Sequence, residues 1–199
     1  MSEHEDGKHV YVVDDDPDLG ASVARLLRRM GYSAEPFLNP RDVLASYEEG
    51  PAACVLTDVM MGDMDGFAFA EELRALDPNV AIIFMTAWPA TSKAVDAIRV
   101  YGGIDYLEKP IDHDRLGAAI AEGVRWSAAR RNGSERLARL TKREREVFEL
   151  LVKGYSTKEI ARELGLSPRT IEDHRAQISG KTKTSSLREL VALKTGVAA

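Results

Sequence analysis

Five short apolar segments alternate with helical patterns between residues 9 and 126, and this alternation restricts the possible folds more than any other feature. Short apolar runs bounded by turn residues predict buried strands, and the segments between them carry apolar residues at helical spacing. Strands that alternate with helices favour a parallel sheet with helices on both faces. We predict a flavodoxin-like (βα)5 domain with parallel strand order 2-1-3-4-5. The predicted strands are His9–Val13, Tyr32–Phe37, Ala52–Thr57, Val80–Met85 and Ile104–Leu107.

Polar side chains follow the ends of four of these strands. Asp14 and Asp15 follow the first strand, Asp58 the third, Thr86 the fourth and Lys109 the fifth. Because the carboxyl ends of parallel strands meet at one edge of the sheet, these side chains should converge. The alternative is that Asp58 is a solvated loop acid. That alternative requires five such residues to fall at strand ends by chance.

The expected cluster points to phosphoryl chemistry. Three neighbouring carboxylates repel one another, and a hard divalent cation such as Mg²⁺ relieves the repulsion. An ionised aspartate can attack phosphorus, so we predict that Asp58 accepts a phosphoryl group. Lys109 and Mg²⁺ would offset the charge on the transferring oxygens. Thr86 would donate a hydrogen bond to one of those oxygens.

Charge divides the chain into two parts. Residues 1–133 hold 13 Lys and Arg against 23 Asp and Glu, a net charge of −10, whereas residues 134–199 hold 14 against 9, a net charge of +5. An acidic domain followed by a basic one makes the second a candidate for nucleic acid. No apolar run approaches the length of a membrane span and no signal peptide is visible. With one cysteine, Cys54, we expect a cytoplasmic protein without a membrane partner.

The second part contains four predicted helix starts. Thr141, Ser156 and Ser186 each precede a glutamate by three residues, which is the capping-box pattern. Ser167-Pro168 is a further cap with proline at the first helical position. We predict an all-α four-helix domain in which a short turn containing glycine joins two helices. This is a helix-turn-helix, and its second helix, Pro168–Lys181, would enter the major groove.

The first domain resembles the receiver domain of two-component response regulators over about residues 8–125. The resemblance implies that a sensor histidine kinase phosphorylates Asp58. It also implies that Asp15, Asp58 and the Met60 carbonyl bind Mg²⁺, with Asp14 acting through a water molecule. The motifs that carry the resemblance are Val13-Asp14-Asp15, Asp58 followed by Met64-Asp65-Gly66, Thr86-Ala87 and Lys109-Pro110.

The resemblance also implies a conformational switch. A cis peptide bond is expected at Lys109–Pro110. Thr86 would move toward the phosphoryl group while the ring of Tyr106 turns inward. The alternative for Tyr106 is an ordinary strand aromatic.

Two features of this sequence affect the loops around Asp58. Gly62 stands where the family usually has proline, so we expect a softer loop. Met60 and Trp88 occupy the positions that flank the approach of water in receivers, which predicts slow hydrolysis of the phosphoryl group. The alternative is that Trp88 points to solvent.

The second domain closely resembles the LuxR-type DNA-binding domain from about Leu140 to Leu193. The motif segments are Thr141–Val147, Lys158–Ala161 and Leu166–Arg175. The resemblance implies phosphate contacts by Lys158, Arg169, Thr170, His174 and Lys181, and base contacts by Glu172, Asp173 and Arg175. Arginine suits guanine, and an acid suits the cytosine amino group.

An alternative remains open for two of these residues. Glu172 and Asp173 would also fit as solvated acids in the N-terminal part of a helix. Gly180 and Thr182 depart from the family pattern, so we expect the end of this helix to fray.

Together the two domains resemble regulators of the FixJ/NarL group. We predict a receiver over residues 1–125, a linker over 126–138 and a DNA-binding domain over 139–199, with polar Arg130–Ser134, which contains a helix-breaking glycine, at the boundary. Phosphorylation of Asp58 would switch homodimerisation and binding to double-stranded DNA, without enzymatic turnover. Two alternatives are a Mg²⁺-dependent phosphatase and a transcription factor whose first domain no longer takes phosphate. Phosphatases of that kind carry the nucleophile after the first strand.

Overall fold

The structure is a computed structural model that describes residues 9–47, 54–88 and 91–195. The chain divides into two compact units between Ala128 and Ala129. Within the described ranges, no helix combines the length and the apolar character that a membrane crossing requires.

The first unit is a five-stranded parallel sheet with the order β2-β1-β3-β4-β5, as predicted. The first strand has the predicted bounds, and the second begins one residue later than predicted. The last three strands each end one residue later than predicted, so that Asp58 and Thr86 are the last residues of their strands. The predicted start of the third strand, Ala52, lies outside the described residues. The described elements are β1 His9–Val13, α1 Pro17–Arg29, β2 Ser33–Phe37, α2 Pro40–Ser46, β3 Cys54–Asp58, α3 Gly66–Leu76, β4 Ala81–Thr86, α4 Thr91–Arg99, β5 Asp105–Glu108 and α5 His113–Ala138.

Both faces of this sheet are buried. Every residue of β3 and β4 is buried, and successive side chains of a strand point to opposite faces. Leu56 and Ile83 pack in the cluster on one face, whereas Val55 and Phe84 pack in the cluster on the other. Packing on two sides fixes the positions of the central strands, and with them the residues at their carboxyl ends.

Local capping sets where the helices begin. The Asp16 carboxylate accepts from the backbone N–H groups of Asp18 and Leu19, and Pro17 occupies the first turn of α1. This arrangement satisfies donors that the helix cannot pair itself. The Asp16 carboxylate is therefore used as the cap of α1.

The polar segment Arg130–Ser134 does not break the helix. It lies inside α5, which continues to Ala138. The glycine in this segment has a packing role instead, because a Cβ atom at Gly133 would stand 2.9 Å from the backbone oxygen of Leu193. The prediction that Gly133 breaks the helix is therefore wrong, because its missing side chain admits the backbone of a neighbouring helix.

The second unit is helical, as predicted. The α7–α8 pair forms the predicted helix-turn-helix, with Gly165 in the left-handed region at φ 64° and Ser167 capping α8. Thr141 and Ser156 both form the predicted capping boxes. The elements that follow α5 are α6 Lys142–Val152, α7 Thr157–Leu164, α8 Pro168–Thr182 and α9 Leu187–Thr195, and their core is formed mainly by Val147, Phe148, Leu151, Ile160, Ile171 and Ile178.

The expected fraying of α8 is not seen. The helix is regular through Thr182, which is fully buried. The Thr182 hydroxyl donates to the Ile178 carbonyl at 2.6 Å and lies 2.8 Å from the Thr184 hydroxyl. These contacts satisfy the polar atom that replaces the family's usual apolar side chain, so burial of the threonine does not leave an unpaired hydroxyl.

Candidate functional site

The structure brings together the polar residues at the carboxyl ends of the strands. The Lys109 ammonium donates to Asp14 Oδ2 at 2.7 Å and to Asp58 Oδ2 at 2.6 Å. All three of these side chains are largely buried, whereas Asp15 is exposed. One carboxylate oxygen from each of Asp14, Asp15 and Asp58 lies within 4.8 Å of the other two. The predicted convergence of three acids and one lysine is therefore present in the folded chain.

Burial and pairing shift the protonation of this cluster. Burial raises the pKa of the Asp14 carboxyl, against the hydrogen bond from Lys109, which lowers it. Burial alone would lower the pKa of Lys109, but hydrogen bonds to Asp14 and Asp58 outweigh it, and the pKa is raised. Lys109 is thus a cation at neutral pH. Three acidic side chains face one ammonium, and their oxygen atoms suit a hard cation such as Mg²⁺.

The β3–α3 loop holds its backbone close to the Asp58 carboxylate. The backbone N–H of Met60 donates to Asp58 Oδ1 at 3.2 Å. Asp65 caps α3, and a Cβ atom at Gly66 would lie only 2.2 Å from the Asp58 carbonyl oxygen. Gly62 is exposed, with open space where its Cβ would stand. The first turn of α3 therefore packs directly against the end of β3.

Thr86 is buried at the end of β4, and both of its oxygens are engaged. Its hydroxyl accepts from the Trp88 backbone N–H at 3.1 Å, and its carbonyl accepts from the Lys109 backbone N–H at 2.7 Å. Trp88 is 78% exposed, which matches the alternative in which this ring points to solvent. Met60, the other residue expected to flank the approach of water, is 55% exposed.

Tyr106 on β5 is half-buried against the core cluster that contains Phe84. Its hydroxyl oxygen is buried and has no hydrogen-bond partner within the described parts of the chain. An unpaired buried hydroxyl is costly, so packing of the ring against this cluster must offset that cost. This placement fits both the switch residue and the ordinary strand aromatic.

Comparison with known proteins decides the family. The family model for the response regulator receiver domain matches residues 10–121, more than half of the chain. The model for bacterial regulatory proteins of the luxR family matches residues 138–193. The chain belongs to the response regulators. This response regulator has a receiver domain followed by a LuxR-type DNA-binding domain, which is the organisation of a transcriptional regulator.

Individual relatives agree with this organisation. The transcriptional regulatory protein FixJ of Azorhizobium caulinodans is 38% identical over 198 residues, which cover 95% of this chain and 93% of that protein. The crystal structure of full-length FixJ from B. japonicum has 36% identity and a TM-score of 0.54, covering 96% of this chain and 98% of that one. The beryllofluoride-activated NtrC4 receiver domain dimer is 28% identical with a TM-score of 0.56, and the match covers 60% of this chain and 98% of that one.

The predicted recognition helix of this response regulator presents polar residues on its outer side. Ile171, Ile178 and Thr182 recur at helical spacing and are buried. Most of the predicted DNA contacts are exposed; Lys158, Arg169, Glu172, Asp173 and Arg175 are exposed, and Thr170, His174 and Lys181 are half-buried. The predicted set is therefore distributed over the accessible side of α8 and the start of α7.

Two of these residues have partners that the sequence did not indicate. Arg175 donates to the Thr157 hydroxyl at 3.2 Å, which tethers it to the start of α7. The Lys181 ammonium lies 2.7 Å from both carboxylate oxygens of Glu144. The capping box revealed the contact between Glu144 and Thr141, but nothing local in the sequence points from Glu144 to a residue 37 positions away.

Arg74 in the first unit was also missed. Its side chain donates to the Tyr101 carbonyl at 3.2 Å and to the Gly102 carbonyl, and its guanidinium lies 5.5 Å from the centroid of the Trp126 ring. Trp126 also packs against a core cluster of its own unit. Among local sequence features we find none that identifies Arg74 as the residue joining these elements.

Proposed function

We propose that Asp58 accepts a phosphoryl group from a sensor histidine kinase, and that this modification controls dimerisation and DNA binding. The observation that carries the proposal is the position of the Lys109 ammonium, 2.6 Å from Asp58 and 2.7 Å from Asp14. The lysine is already placed where negative charge collects when a phosphoryl group reaches the Asp58 carboxylate.

In the proposed transfer, a carboxylate oxygen of Asp58 attacks the phosphorus of a phosphohistidine. A P–O bond forms, the P–N bond breaks, and the histidine nitrogen leaves with the electron pair. Asp14, Asp15 and Asp58, together with the Met60 carbonyl, would hold Mg²⁺, which supplies positive charge to the phosphoryl oxygens when bound. Lys109 contributes the fixed ammonium, and its buried stem keeps that charge close to Asp58. The phosphoryl group stays on the protein, so we infer no enzymatic turnover of a separate substrate.

The response to phosphorylation would begin at Thr86. The hydroxyl now accepts from the Trp88 N–H, and it still has a proton to donate to a phosphoryl oxygen. Movement of Thr86 would reshape the space beside Tyr106 and shift a two-state equilibrium toward the active form. Exposed apolar residues on and beside α4, namely Val95, Ile98 and Val100, support dimerisation through the α4–β5–α5 face. The dimeric state of the activated NtrC4 receiver is a further support.

For the DNA-binding part, we propose the contacts that the family resemblance implies. Lys158, Arg169, Thr170 and His174 would contact phosphates, while Glu172, Asp173 and Arg175 would reach base edges. Lys181 belongs to the phosphate set with one difference, because any phosphate there would share its ammonium with Glu144. We propose the receiver over residues 1–125, the linker over 126–138 and the DNA-binding domain over 139–199.

The decisive experiment combines phosphorylation and DNA binding. Intact-mass measurement with acetyl phosphate and Mg²⁺ should show one added phosphoryl group in the wild type and none in Asp58→Asn. Asp63→Asn, which removes an exposed acid from the same loop, is the matched control and should be labelled normally. Phosphorylation should tighten binding to operator DNA in the wild type and in Asp63→Asn, and acetyl phosphate should have no such effect on Asp58→Asn. Labelling that survives Asp58→Asn, or steady turnover of phosphate esters, would contradict the proposal.

A second experiment tests the division of DNA contacts. Arg175→Ala should weaken binding to the specific site more than binding to random DNA, because base contacts specify sequence. Lys158→Ala should weaken both alike and reduce the salt dependence of binding. Equal losses on the two DNAs for Arg175→Ala would remove it from the base-contact set.

A further inference from the structure

The C-terminal part of α5, residues 129–138, belongs to the second unit and is joined there to the ends of two helices. The Arg130 guanidinium donates to the carbonyl of Thr195, the last residue of α9, at 2.8 Å. The Arg136 guanidinium donates to the carbonyl of Lys183, just after α8, at 2.9 Å. A cation is favourable at the C-terminal end of a helix, because the last carbonyl groups lack partners within the helix.

Lys183 is the residue at which the backbone leaves α8. Its φ of 51° and ψ of 46° lie in the left-handed region, and among the described residues it alone combines a side chain with a positive φ. A side chain makes this conformation unfavourable, which is why glycine is common at helix ends of this kind. Lys183 is exposed, and within the described ranges its ammonium makes no hydrogen bond or ion pair that would offset this cost.

The conformation of Lys183 closes the last turn of α8. In this conformation the backbone N–H groups of Lys183 and Thr184 both donate to the Ser179 carbonyl. The bond from Arg136, which is half-buried, offsets the conformational cost from outside the helix. We propose that Arg136 is a positioning residue for the recognition helix. By binding the Lys183 carbonyl, it holds the left-handed turn that fixes the C-terminal end of α8.

The position of this end matters for DNA recognition, and in this respect the inference rests on the DNA contacts proposed above. A second tie holds the same end, namely the ion pair between Lys181 and Glu144. On DNA that ammonium would be shared with a phosphate, whereas the tie through Arg136 uses no proposed DNA-binding group. A tilt of α8 about its capped start would displace Arg175 from base edges, which require closer geometry than phosphates do.

The first test compares the binding of full-length protein to two DNAs in the presence of acetyl phosphate and Mg²⁺. The specific duplex is the sequence that the wild type selects from a random library, and the second duplex is a scrambled version of it. Arg136→Ala should weaken binding to the selected duplex about fivefold, because a hydrogen bond to a charged group contributes that much or more. Binding to the scrambled duplex should fall by less than about twofold. Arg139→Ala, which removes an exposed arginine three residues further on, is the matched control and should leave the ratio of the two affinities unchanged.

Substitutions at Lys183 separate positioning from a general loss of stability. Lys183→Gly makes the left-handed conformation accessible without an anchor, so in this background Arg136→Ala should weaken binding to the selected duplex by less than about twofold. Lys183→Ala removes the same ammonium but keeps the conformational cost, so there the loss of about fivefold should remain. Comparison within each background cancels any direct contribution of the Lys183 ammonium to DNA binding.

A second measurement follows the turn itself without DNA. The Thr184 amide donates to the Ser179 carbonyl at 3.2 Å, so its hydrogen exchange in ¹⁵N-labelled protein reports on closure of the turn. Arg136→Ala should speed exchange of this amide about fivefold, and adding Lys183→Gly should restore the wild-type rate. The amide of Ile178, a buried residue of α8, is the internal control and should exchange at an unchanged rate.

Three results would overturn this role for Arg136. These are equal losses of affinity on the two duplexes in Arg136→Ala, a rescue by Lys183→Ala as complete as that by Lys183→Gly, and an unchanged exchange rate of the Thr184 amide in Arg136→Ala. If the wild type selects no sequence from the library, the proposed base contacts are wrong. The exchange measurement then still decides whether Arg136 holds the end of α8.

Discussion

The two units each contain a lysine held by carboxylates, yet the two arrangements differ in charge balance. Lys109 lies between Asp14 and Asp58, with Asp15 close by, so one ammonium faces three acids. Lys181 lies against the single carboxylate of Glu144, and both oxygens are 2.7 Å from its nitrogen. An excess of acid leaves room for a further cation, whereas a one-to-one pair is electrostatically complete.

The surroundings of the two lysines reinforce the contrast. Glu144 is also the capping-box residue of α6 and accepts from the Thr141 backbone N–H at 2.7 Å, so its oxygens are used by the fold itself. Asp58 makes only one backbone contact of this kind through its side chain among the described residues, from Met60. We infer that the first cluster is arranged for chemistry and the second for holding α6 against α8.

The largest expected difference is in the rate at which acetyl phosphate labels Asp58 when each lysine is removed in turn. Lys109→Met should slow labelling of Asp58 by acetyl phosphate by about 10²-fold or more, which is typical for the loss of one preorganised donor. Lys181→Met should leave the labelling rate unchanged, since that residue belongs to the other unit. The initial rate of mass increase measures both. A Lys109→Met protein that labels within a few-fold of the wild type would erase the distinction.

Neutralising one acid in each unit should change stability in opposite directions. Glu144→Gln should lower the free energy of unfolding of the second unit by about 1–2 kcal/mol, because it weakens a helix cap and breaks an ion pair. Asp58→Asn should not destabilise the first unit and should raise its melting temperature when no divalent cation is present, because it relieves carboxylate repulsion.

The two transitions can be followed separately. Both tryptophans, Trp88 and Trp126, belong to the first unit, so tryptophan fluorescence reports on that unit alone. The helical circular dichroism signal reports on both units. The part of its change that does not coincide with the fluorescence change is assigned to the second unit. Asp63→Asn is the control for Asp58→Asn, because it removes an exposed charge outside the cluster. A loss of stability in Asp58→Asn would contradict the expectation that repulsion among the carboxylates destabilises the metal-free first unit.

The smallest expected effect is a difference between the two units in how stability depends on pH. Hydrogen bonding to Lys181, together with the cap contacts, lowers the pKa of Glu144 below its ordinary 4.5. Its contribution to stability is present above pH 4.5 and is lost as the pH falls through the lowered pKa. Burial raises the pKa of Asp14 above 3.8, so its contribution has the opposite sign and declines as the pH rises from 3.8 through the raised pKa.

Variants isolate these two pH contributions. The difference in melting temperature between wild type and Glu144→Gln should shrink as the pH is lowered from 6 to 3. The increase in melting temperature that Asp14→Asn gives over the wild type, measured without divalent cations, should grow as the pH rises from 3.8 through the raised pKa of Asp14. Parallel curves for wild type and variant would show that the carboxyl group in question does not have the shifted pKa.

The sequence predicted most of the fold because the information was local. Each strand is a short apolar run, and each is separated from the next by a helix with recognisable caps such as Asp16 and Ser167. Even the convergence of Asp14, Asp58 and Lys109 followed from parallel topology, because all three stand at carboxyl ends of strands. Prediction of the site therefore required only the strand order.

Prediction failed where a tertiary contact overrode a local preference. The polar segment around Gly133 has the composition of a helix break, but the segment lies within α5, and the close approach of Leu193 explains why a glycine stands there. Thr182 was expected to weaken the end of α8, but its hydroxyl is satisfied inside the helix and by Thr184. The Lys181–Glu144 pair joins residues distant in sequence, and no periodicity or motif reveals which side chains meet after folding.

The hydrogen bond between the Trp88 amide and the Thr86 hydroxyl makes that amide a spectroscopic probe of the switch. An amide proton that loses or lengthens its hydrogen bond changes its chemical shift, so a rotation of Thr86 toward a phosphoryl group would be visible at one backbone position in a ¹⁵N-labelled sample. The Trp88 ring is exposed and its indole N–H gives a second resonance that need not move. Comparing the two signals from a single residue separates a change at Thr86 from a general change in the loop.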